Sequence, residues 1–276
     1  VITGDEDVDT EYKDLIYHNE GDSWSSQFRN VEYRLNGDSS GNVTIQPVIN
    51  STEEGGVFAA IKPASGKDFY IAAGNSSGNA TTLDLSKIKT NGGKVYGIYN
   101  SEDSGIYIYA FGGLSVNPTT DGSYAGLVYA GNDREDGAKS IVQFGEVYSA
   151  LGGISISGSG KGFTPIEAGK NGEIRMGAIV DIDVTDGAYG IVAKDGGIIT
   201  LSNSNNGTII DANGGTAIYA ENGGQVNITA AKYIGGDLVS QGEGSNITAT
   251  IAAADDETVA WDGDAIGHVD VTVKKG

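Results

Sequence analysis

The feature that most constrains the fold of this chain is a repeated apolar spacing. One apolar residue is followed by a second after eight positions and by a third after ten. Ile218, Val226 and Ile228 form the clearest unit, and Gly223-Gly224 lies between the first two. A fixed spacing of this kind predicts a stack of similar supersecondary units. The spacing recurs in Ile61-Phe69-Ile71, Ile98-Ile106-Ile108, Ile166-Ile174-Met176, Ile191-Ile199-Leu201 and Val239-Ile247-Ala249.

One unit is interrupted by an insertion. Its first apolar anchor, Leu127, is followed by Ile141 after 14 positions, because the segment Gly131–Gly137 lengthens the turn by six residues. Between units, alternating apolar and polar residues predict a third short strand in each repeat. These third strands are expected at Leu83–Leu85, Ile154–Ile156, Ile179–Val184, Ile209–Ile210 and Val269–Val273.

Three short strands per repeat, without helical periodicity, predict an all-β fold: a right-handed parallel β-helix, which is a three-sided solenoid. Successive coils stack about 4.8 Å apart, so equivalent side chains form ladders in a narrow core. We assign residues 41–276 to this stem, with the Gly pairs in turns of positive φ. A propeller would need blades of about 40 residues, and calcium-binding nonapeptide repeats would need a tandem Gly-Gly-x-Gly-x-Asp run, which the sequence lacks.

Residues 1–40 differ from the stem. They begin with an acidic run at Asp5–Asp7 and carry a denser set of aromatic residues than the remainder. The raw end of a stack of strands would pair with other chains, so a solenoid needs an atypical cap there. We therefore predict that residues 1–40 form an N-terminal cap, and a connection to an upstream domain is the alternative.

The charge of the chain excludes several classes of partner. The formal net charge is −20, which repels phosphate backbones and anionic lipid head groups, so nucleic acid is not an expected partner. There is no Cys, which rules out disulfides and thiolate metal sites. No apolar run approaches the roughly 20 residues that span a membrane, so this fragment is not expected to insert directly. The start of the chain does not look like a signal peptide.

Several coils resemble the passenger domains of bacterial autotransporters, the type V secretion proteins with pectin-lyase-like β-helices. The resemblance is carried by residues 216–229, 234–240 and 244–251, and Trp261-Asp-Gly263 is similar to a motif near the end of such stems. It covers residues 41–276 and is stronger after residue 160. It implies an exported piece of an outer-membrane protein, found at the bacterial cell surface or secreted, with roles in adhesion, aggregation, biofilm formation and virulence. The family's signal peptide and C-terminal membrane barrel are not in this sequence.

A set of tyrosines alternates with the predicted inward anchors and should therefore face outward. If these side chains stack, they form an exposed aromatic column that could hold sugars or contact proteins. The alternative is that Tyr is simply favoured in strands. The candidate binding residues are Tyr70, Tyr99, Tyr107, Tyr109 and Tyr219.

The insertion in the interrupted unit is a second candidate binding element, because insertions on solenoids often lie on the binding face. A tolerated, solvated loop is the alternative. Its charged residues are Asp133, Arg134, Glu135 and Asp136.

An enzyme on this scaffold is the main alternative function. Asp181 and Asp183 should both face outward, about 7 Å apart, and Asp186 follows them, so they could act as an acid/base pair or hold Ca²⁺. A solvated acidic face is the simpler interpretation. A polysaccharide lyase would also need Arg175 or Lys194 nearby as a base. The two histidines, His18 and His268, lie at opposite ends of the chain, which argues against a catalytic triad.

The sequence thus predicts a bacterial adhesin and not an enzyme, with no catalytic residue, metal or cofactor assigned. The expected partners are a host extracellular-matrix protein, a glycan or another passenger in self-association. The alternatives are a carbohydrate-active lyase or hydrolase, and a stem that serves only as a spacer.

Overall fold

The computed structural model describes residues 2–3, 31–35, 43–63, 65–66, 68–73, 81–110, 113–145, 153–203, 207–253 and 260–275. The predicted cap therefore lies outside the described residues, except for two short strands.

The described residues form β-strands and turns without a helix. The strands are β1 (Ile2–Thr3), β2 (Val31–Leu35), β3 (Val43–Ile45), β4 (Ile49–Glu54), β5 (Val57–Ile61), β6 (Phe69–Ala73), β7 (Thr81–Asp84), β8 (Ile88–Asn91), β9 (Lys94–Asn100), β10 (Gly105–Ala110), β11 (Leu114–Asn117), β12 (Tyr124–Ala130), β13 (Ser140–Phe144), β14 (Ile154–Ser159), β15 (Ile166–Ala168), β16 (Gly172–Met176), β17 (Val180–Thr185), β18 (Ile191–Lys194), β19 (Ile198–Leu201), β20 (Thr208–Glu221), β21 (Gln225–Gln241), β22 (Asn246–Ala253), β23 (Trp261–Asp262), β24 (Ala265–Gly267) and β25 (Val269–Lys275).

The strands stack in three parallel columns, which confirms the predicted parallel β-helix. Face 1 runs through β5, β9, β12, β15, β18, the end of β20, the end of β21 and β24. Face 2 runs through β2, β6, β10, β13, β16, β19, the start of β21, β22 and β25. Face 3 runs through β3, β7, β11, β14, β17, the start of β20, the middle of β21 and β23.

Two elements depart from the three-column pattern. At the start of face 3, β1 pairs with β3 in the antiparallel sense. The strands β4 and β8 form a separate two-stranded parallel sheet between faces 3 and 1 of the early coils. This side sheet accounts for part of the length of the early repeats.

The predicted ladders fill the core. On face 1, Ile98, Ile166, Ile191 and Ile218 are fully buried. On face 2, the second anchors of the units, from Ile106 to Ile247, are at most 2% exposed. The same is true of the third anchors, from Ile108 to Ala249. Each fully buried aliphatic side chain contributes about 1.5–3 kcal/mol. The repeated apolar spacing is therefore the cause of the solenoid, because each coil adds one member to every ladder.

Three predicted anchors are wrong by one residue, and two of them, Leu127 and Ile141, belong to the interrupted unit, in which Val142 and not Ile141 pairs with Ile106 and Ile174. Val128, and not Leu127, pairs with Ile98 and Ile166, because the strand register shifts between Tyr124 and Gly126. Both residues are fully buried, so the apolar pattern did not distinguish them.

The first anchor of the last unit, Val239, shows the same one-residue error. Leu238, and not Val239, pairs with Ile218, and Val239 pairs with the outward Tyr219. One predicted third strand is also wrong: Val269–Val273 pairs with β22 on face 2, and β23 takes its place on face 3.

Candidate binding face

The outer side of face 1 carries a line of tyrosines that we call the tyrosine stripe. Parallel pairing places Tyr99, Tyr129, Glu167, Val192 and Tyr219 at equivalent positions on successive coils. Four steps of about 4.8 Å give the stripe a length of about 19 Å between its first and last tyrosine. Tyr96, Tyr189 and Lys194 lie beside this line and complete the stripe.

The upper part of the stripe is an aromatic cluster outside the solenoid core. The rings of Tyr99 and Tyr129 stack with centroids 4.8 Å apart and an interplanar angle of 14°. The Tyr96 ring lies 5.4 Å from Tyr99 and 6.0 Å from Tyr129, and it is only 5% exposed. It packs against Ala59 and Ala125, which are also buried on this outer side. The cluster is therefore a second, smaller hydrophobic core that fixes the rings.

Glycine and lysine neighbours shape the ends of this cluster. The Tyr129 hydroxyl lies 2.9 Å from the position that a Cβ would take on Gly131 and on Gly169, so only glycine leaves room for it. The ammonium of Lys62 lies 5.5 Å from the centroid of the Tyr99 ring, in a cation–π contact. The stacked pair thus has one outer ring face covered by a lysine.

Burial and nearby carboxylates keep the upper tyrosines protonated. Burial is the main cause that raises the pKa of Tyr96, Tyr99 and Tyr129, and the negative charge of Glu167 adds to it for all three. The carboxylate of Asp133 raises the pKa of Tyr99 and Tyr129 further. These phenols therefore remain neutral hydrogen-bond donors throughout the physiological range.

An ion pair occupies the middle of the stripe. The Lys194 ammonium lies 2.6 Å from a carboxylate oxygen of Glu167 on the preceding coil. Burial lowers the pKa of Lys194, but its hydrogen bond and attraction to Glu167 outweigh this, and the net shift is upward. The pair makes the centre of the stripe electrically neutral on a chain with a net charge of −20.

The lower part of the stripe is a second stacked pair. The Tyr189 and Tyr219 rings have centroids 5.2 Å apart and an interplanar angle of 15°. The Tyr219 hydroxyl donates to a carboxylate oxygen of Glu221 at 2.9 Å. Burial, followed by this hydrogen bond, raises the pKa of Tyr219 to about 12. Tyr189 is 40% exposed, so the lower pair is the part of the stripe most open to a partner.

The predicted aromatic column is divided between two faces. Tyr99 and Tyr219 lie in the stripe on face 1, as an outward position requires. Tyr70 and Tyr107 pair with each other on face 2, and Tyr109 pairs there with Ala72. These five tyrosines therefore do not form one continuous column. The Tyr107 ring packs over Gly105, and the side chains of Tyr70 and Tyr109 lie outside the described part of the structure.

Three tyrosines of the stripe were missed by sequence reasoning. The one-residue error at Leu127 assigned Tyr129 to the inward side of the strand, so this tyrosine was not chosen as a candidate. Tyr96 and Tyr189 stand two positions before an inward anchor, so simple alternation also placed them inward. Both begin the same tripeptide, Tyr-Gly-Ile, at 96–98 and at 189–191. That recurrence was the available signal for an outward tyrosine before the anchor.

The insertion loop is tied to the preceding coil. The Arg134 guanidinium donates to both carboxylate oxygens of Asp136, at 3.1 and 2.5 Å, and lies 3.4 Å from Asp103. Asp103 also accepts hydrogen bonds from Ser65 and Gly66. Two of the four predicted loop residues, Arg134 and Asp136, therefore bind each other.

The other two predicted loop residues lie on the exposed side of the insertion. Asp133 and Glu135 are both exposed. The negative charge of Asp133 raises the pKa of Tyr99 and Tyr129. One loop candidate, Asp133, thus acts electrostatically on one tyrosine candidate, Tyr99.

The groups needed for a polysaccharide lyase are spread over the three faces. Asp181 and Asp183 are exposed on face 3, and Asp183 accepts a hydrogen bond from Asn213. Arg175 lies on face 2, where it binds Glu173 at 2.6 Å, and Lys194 lies on face 1 with Glu167. Within the described ranges, no group of three or more His, Asp or Glu side chains is placed to hold a metal ion. His268 is exposed, and His18 lies outside the described residues.

The fold and the stripe define the class of this protein: an all-β solenoid of the parallel β-helix type with an aromatic outer face. Comparison with models of protein families, with curated proteins and with solved structures found no match to the chain. In the portion of the chain that the structure describes, no helix is long and apolar enough to cross a membrane.

Proposed function

We propose that this chain is an adhesive module of a bacterial cell-surface or secreted protein, and that the tyrosine stripe binds a partner protein. The observation that carries the proposal is the stripe itself, with two stacked tyrosine pairs on the outside of one face. Tyrosine is enriched at the energetic centres of protein interfaces, because it supplies a large amphipathic contact at a small cost in side-chain entropy.

The ring geometry favours a protein over a stacked sugar. Tyr99 and Tyr129 turn their ring faces toward each other, and so do Tyr189 and Tyr219. Lys62 covers a further face of Tyr99. A sugar stacks on an open aromatic face, whereas a protein surface can pack on ring edges and bind phenol hydroxyls. The stripe offers mainly ring edges and phenol hydroxyls, which suit a protein partner.

Charge favours a partner other than a second copy. Two chains of net charge −20 repel each other at long range, and this repulsion weakens self-association. The neutral centre at Glu167 and Lys194 is flanked by the acidic side chains of Glu221 and Asp133. A neutral or basic host extracellular-matrix protein fits this surface best. The resemblance to autotransporter passengers supports the same function and an exported location at the bacterial surface.

The test is a binding panel with matched variants. The full 276-residue chain is applied to immobilised matrix proteins and to a glycan array, and its self-association is measured by sedimentation. The double variant Tyr189→Ala/Tyr219→Ala should lose at least about tenfold in affinity for a matrix protein, because interface tyrosines are frequent hot spots. Tyr233→Ala removes a tyrosine from face 3 and should bind normally. Binding to glycans alone, self-association alone, or full binding by the double variant would each overturn the proposal.

A further inference from the structure

A cavity of about 390 Å³ lies at the first coil, beside the upper end of the tyrosine stripe. Its walls come from the end of the side-sheet strand β4, from the start of β5, and from Lys62, Tyr99 and Ser101. We call it the side-sheet pocket. Its volume is in the range of about 300–1,000 Å³ that small-molecule sites usually have.

The turn between β4 and β5 keeps this pocket open. Gly55 and Gly56 adopt φ values of 80° and 91°, a region that side-chain-bearing residues rarely adopt. A Cβ on Gly55 would meet no atom within 4 Å, and one on Gly56 would lie 3.3 Å from the Phe58 ring. Backbone without side chains therefore forms one wall, and the largely buried Phe58 ring lies behind it.

The polar groups of the pocket are both donors and acceptors. Glu53 and Glu54 are exposed and supply carboxylate acceptors. Lys62 supplies an ammonium donor, which also lies over the Tyr99 ring. Ser51 is only 6% exposed, and its hydroxyl, like that of Ser101, can both donate and accept.

The charge arrangement selects for a neutral ligand. An anion would approach Lys62 but would be repelled by Glu53 and Glu54, and by Glu102, whose charge acts on Lys62. A cation would be attracted by the carboxylates but would have to lie beside the ammonium. A neutral polyol encounters neither penalty, and its hydroxyls can donate to carboxylates and accept from the ammonium and the serines.

We infer that the side-sheet pocket binds one unit of a neutral saccharide. The hydroxyls of the sugar are held between Glu53 and Glu54 on one side and Lys62 on the other. The Phe58 wall and the edge of Tyr99 contact its less polar parts. This site adjoins the upper end of the stripe and shares Tyr99 with it, but its charged groups come from β4 and from Lys62, the residue after β5.

The test uses the full chain and monosaccharides of different charge. Saturation-transfer NMR and calorimetry compare glucose, galactose, mannose and N-acetylglucosamine with the cationic glucosamine and the anionic N-acetylneuraminic acid. At least one neutral sugar should bind saturably. Glu54→Gln and Lys62→Met should each weaken that binding by at least about tenfold, which is about 1.4 kcal/mol. Glu243→Gln, an exposed charge at the other end of the stem, should leave it unchanged.

Three results would overturn the inference: no saturable binding of a neutral sugar, tighter binding of a charged one, or full binding by Glu54→Gln. Glu54 is exposed, so its variant tests the site even if Lys62→Met folds poorly. The stripe variant Tyr189→Ala/Tyr219→Ala should keep saccharide binding, because those residues lie several coils away. Saccharide binding by this variant therefore shows whether the pocket proposal holds independently of the protein-binding proposal for the stripe.

Discussion

Tyr99 and Tyr129 stack on consecutive coils of face 1, with ring centroids 4.8 Å apart. This distance matches the separation of about 4.8 Å between neighbouring strands, so the coil spacing itself sets the stack. The Tyr96 ring packs against the side of this pair, with its centroid 5.4 Å from that of Tyr99 and 6.0 Å from that of Tyr129. Parallel stacking thus turns an outward position of the repeat into a rigid aromatic surface.

Removal of Tyr96 should destabilise the early coils. Tyr96→Ala is expected to cost about 3 kcal/mol, because a buried aromatic ring is lost and leaves a cavity against Ala59 and Ala125. Tyr233→Ala, on face 3, should cost less than about 1 kcal/mol. Hydrogen exchange in β9 and β12 measures this locally, which suits a repeat array whose unfolding need not be two-state. Equal protection in both variants would show that the outer cluster does not stabilise these coils.

Replacing a glycine in one of the coil turns tests how closely the backbones of successive coils approach each other. A Cβ on Gly224 would lie 2.1 Å from the carbonyl oxygen of Ala193 on the preceding coil. Gly224→Ala should therefore destabilise the chain by about 2–3 kcal/mol, because the two coils must separate. Gly196 has a φ of 82° but open space around it, so Gly196→Asn should cost less than about 1 kcal/mol. Urea denaturation followed by circular dichroism compares the two, and similar midpoints would contradict the close approach.

Tyr219 should titrate well above an ordinary tyrosine. Burial and the hydrogen bond to Glu221 raise its pKa to about 12. Because this value lies above the unfolded one, the stabilising effect is complete below about pH 10 and is lost as the pH rises through about 12. Ring carbon shifts of labelled tyrosine measure the pKa. Glu221→Gln should lower it toward 10, and an unchanged value would show that Glu221 has no influence.

The insertion loop should loosen only in strong acid. Hydrogen bonds from Arg134 and from the Ala138 amide lower the pKa of Asp136 to about 2. The depressed value means that the contact stabilises the loop above about pH 4 and is lost as the pH falls through about 2. Amide exchange in residues 131–137 measures this, and Asp136→Asn should remove the acid transition. The transition should leave the core ladders protected, since exposed ion pairs contribute little to global stability.

The repeat was predictable from the sequence because the interval between anchors is set by the coil length and the alternation within a strand by its two-residue period. The errors fall where two apolar residues are adjacent, at Leu127-Val128, Ile141-Val142 and Leu238-Val239. There the pattern permits either register, and a backbone irregularity at Gly126 decides the first case.

The stripe was only partly predictable. Tyr99 and Tyr219 follow the first anchor of their units, whereas Tyr107 lies between the second and third anchors, so the sequence already contained their division between faces. The contacts that build the stripe were not available from spacing. The Glu167–Lys194 ion pair and the Tyr189–Tyr219 stack join residues 27 and 30 positions apart on neighbouring coils. The side-sheet pocket is lined in part by β4, whose pairing with β8 the repeat pattern did not indicate.

The most direct test of the central claim compares the stripe with the insertion loop. Dissociation constants for an immobilised matrix protein are measured for the native chain, for Tyr189→Ala/Tyr219→Ala and for the loop variant Glu135→Ala. We expect the stripe variant to bind at least about tenfold more weakly, while the loop variant stays within about threefold of the native chain. Weak binding by the loop variant together with native binding by the stripe variant would contradict the account.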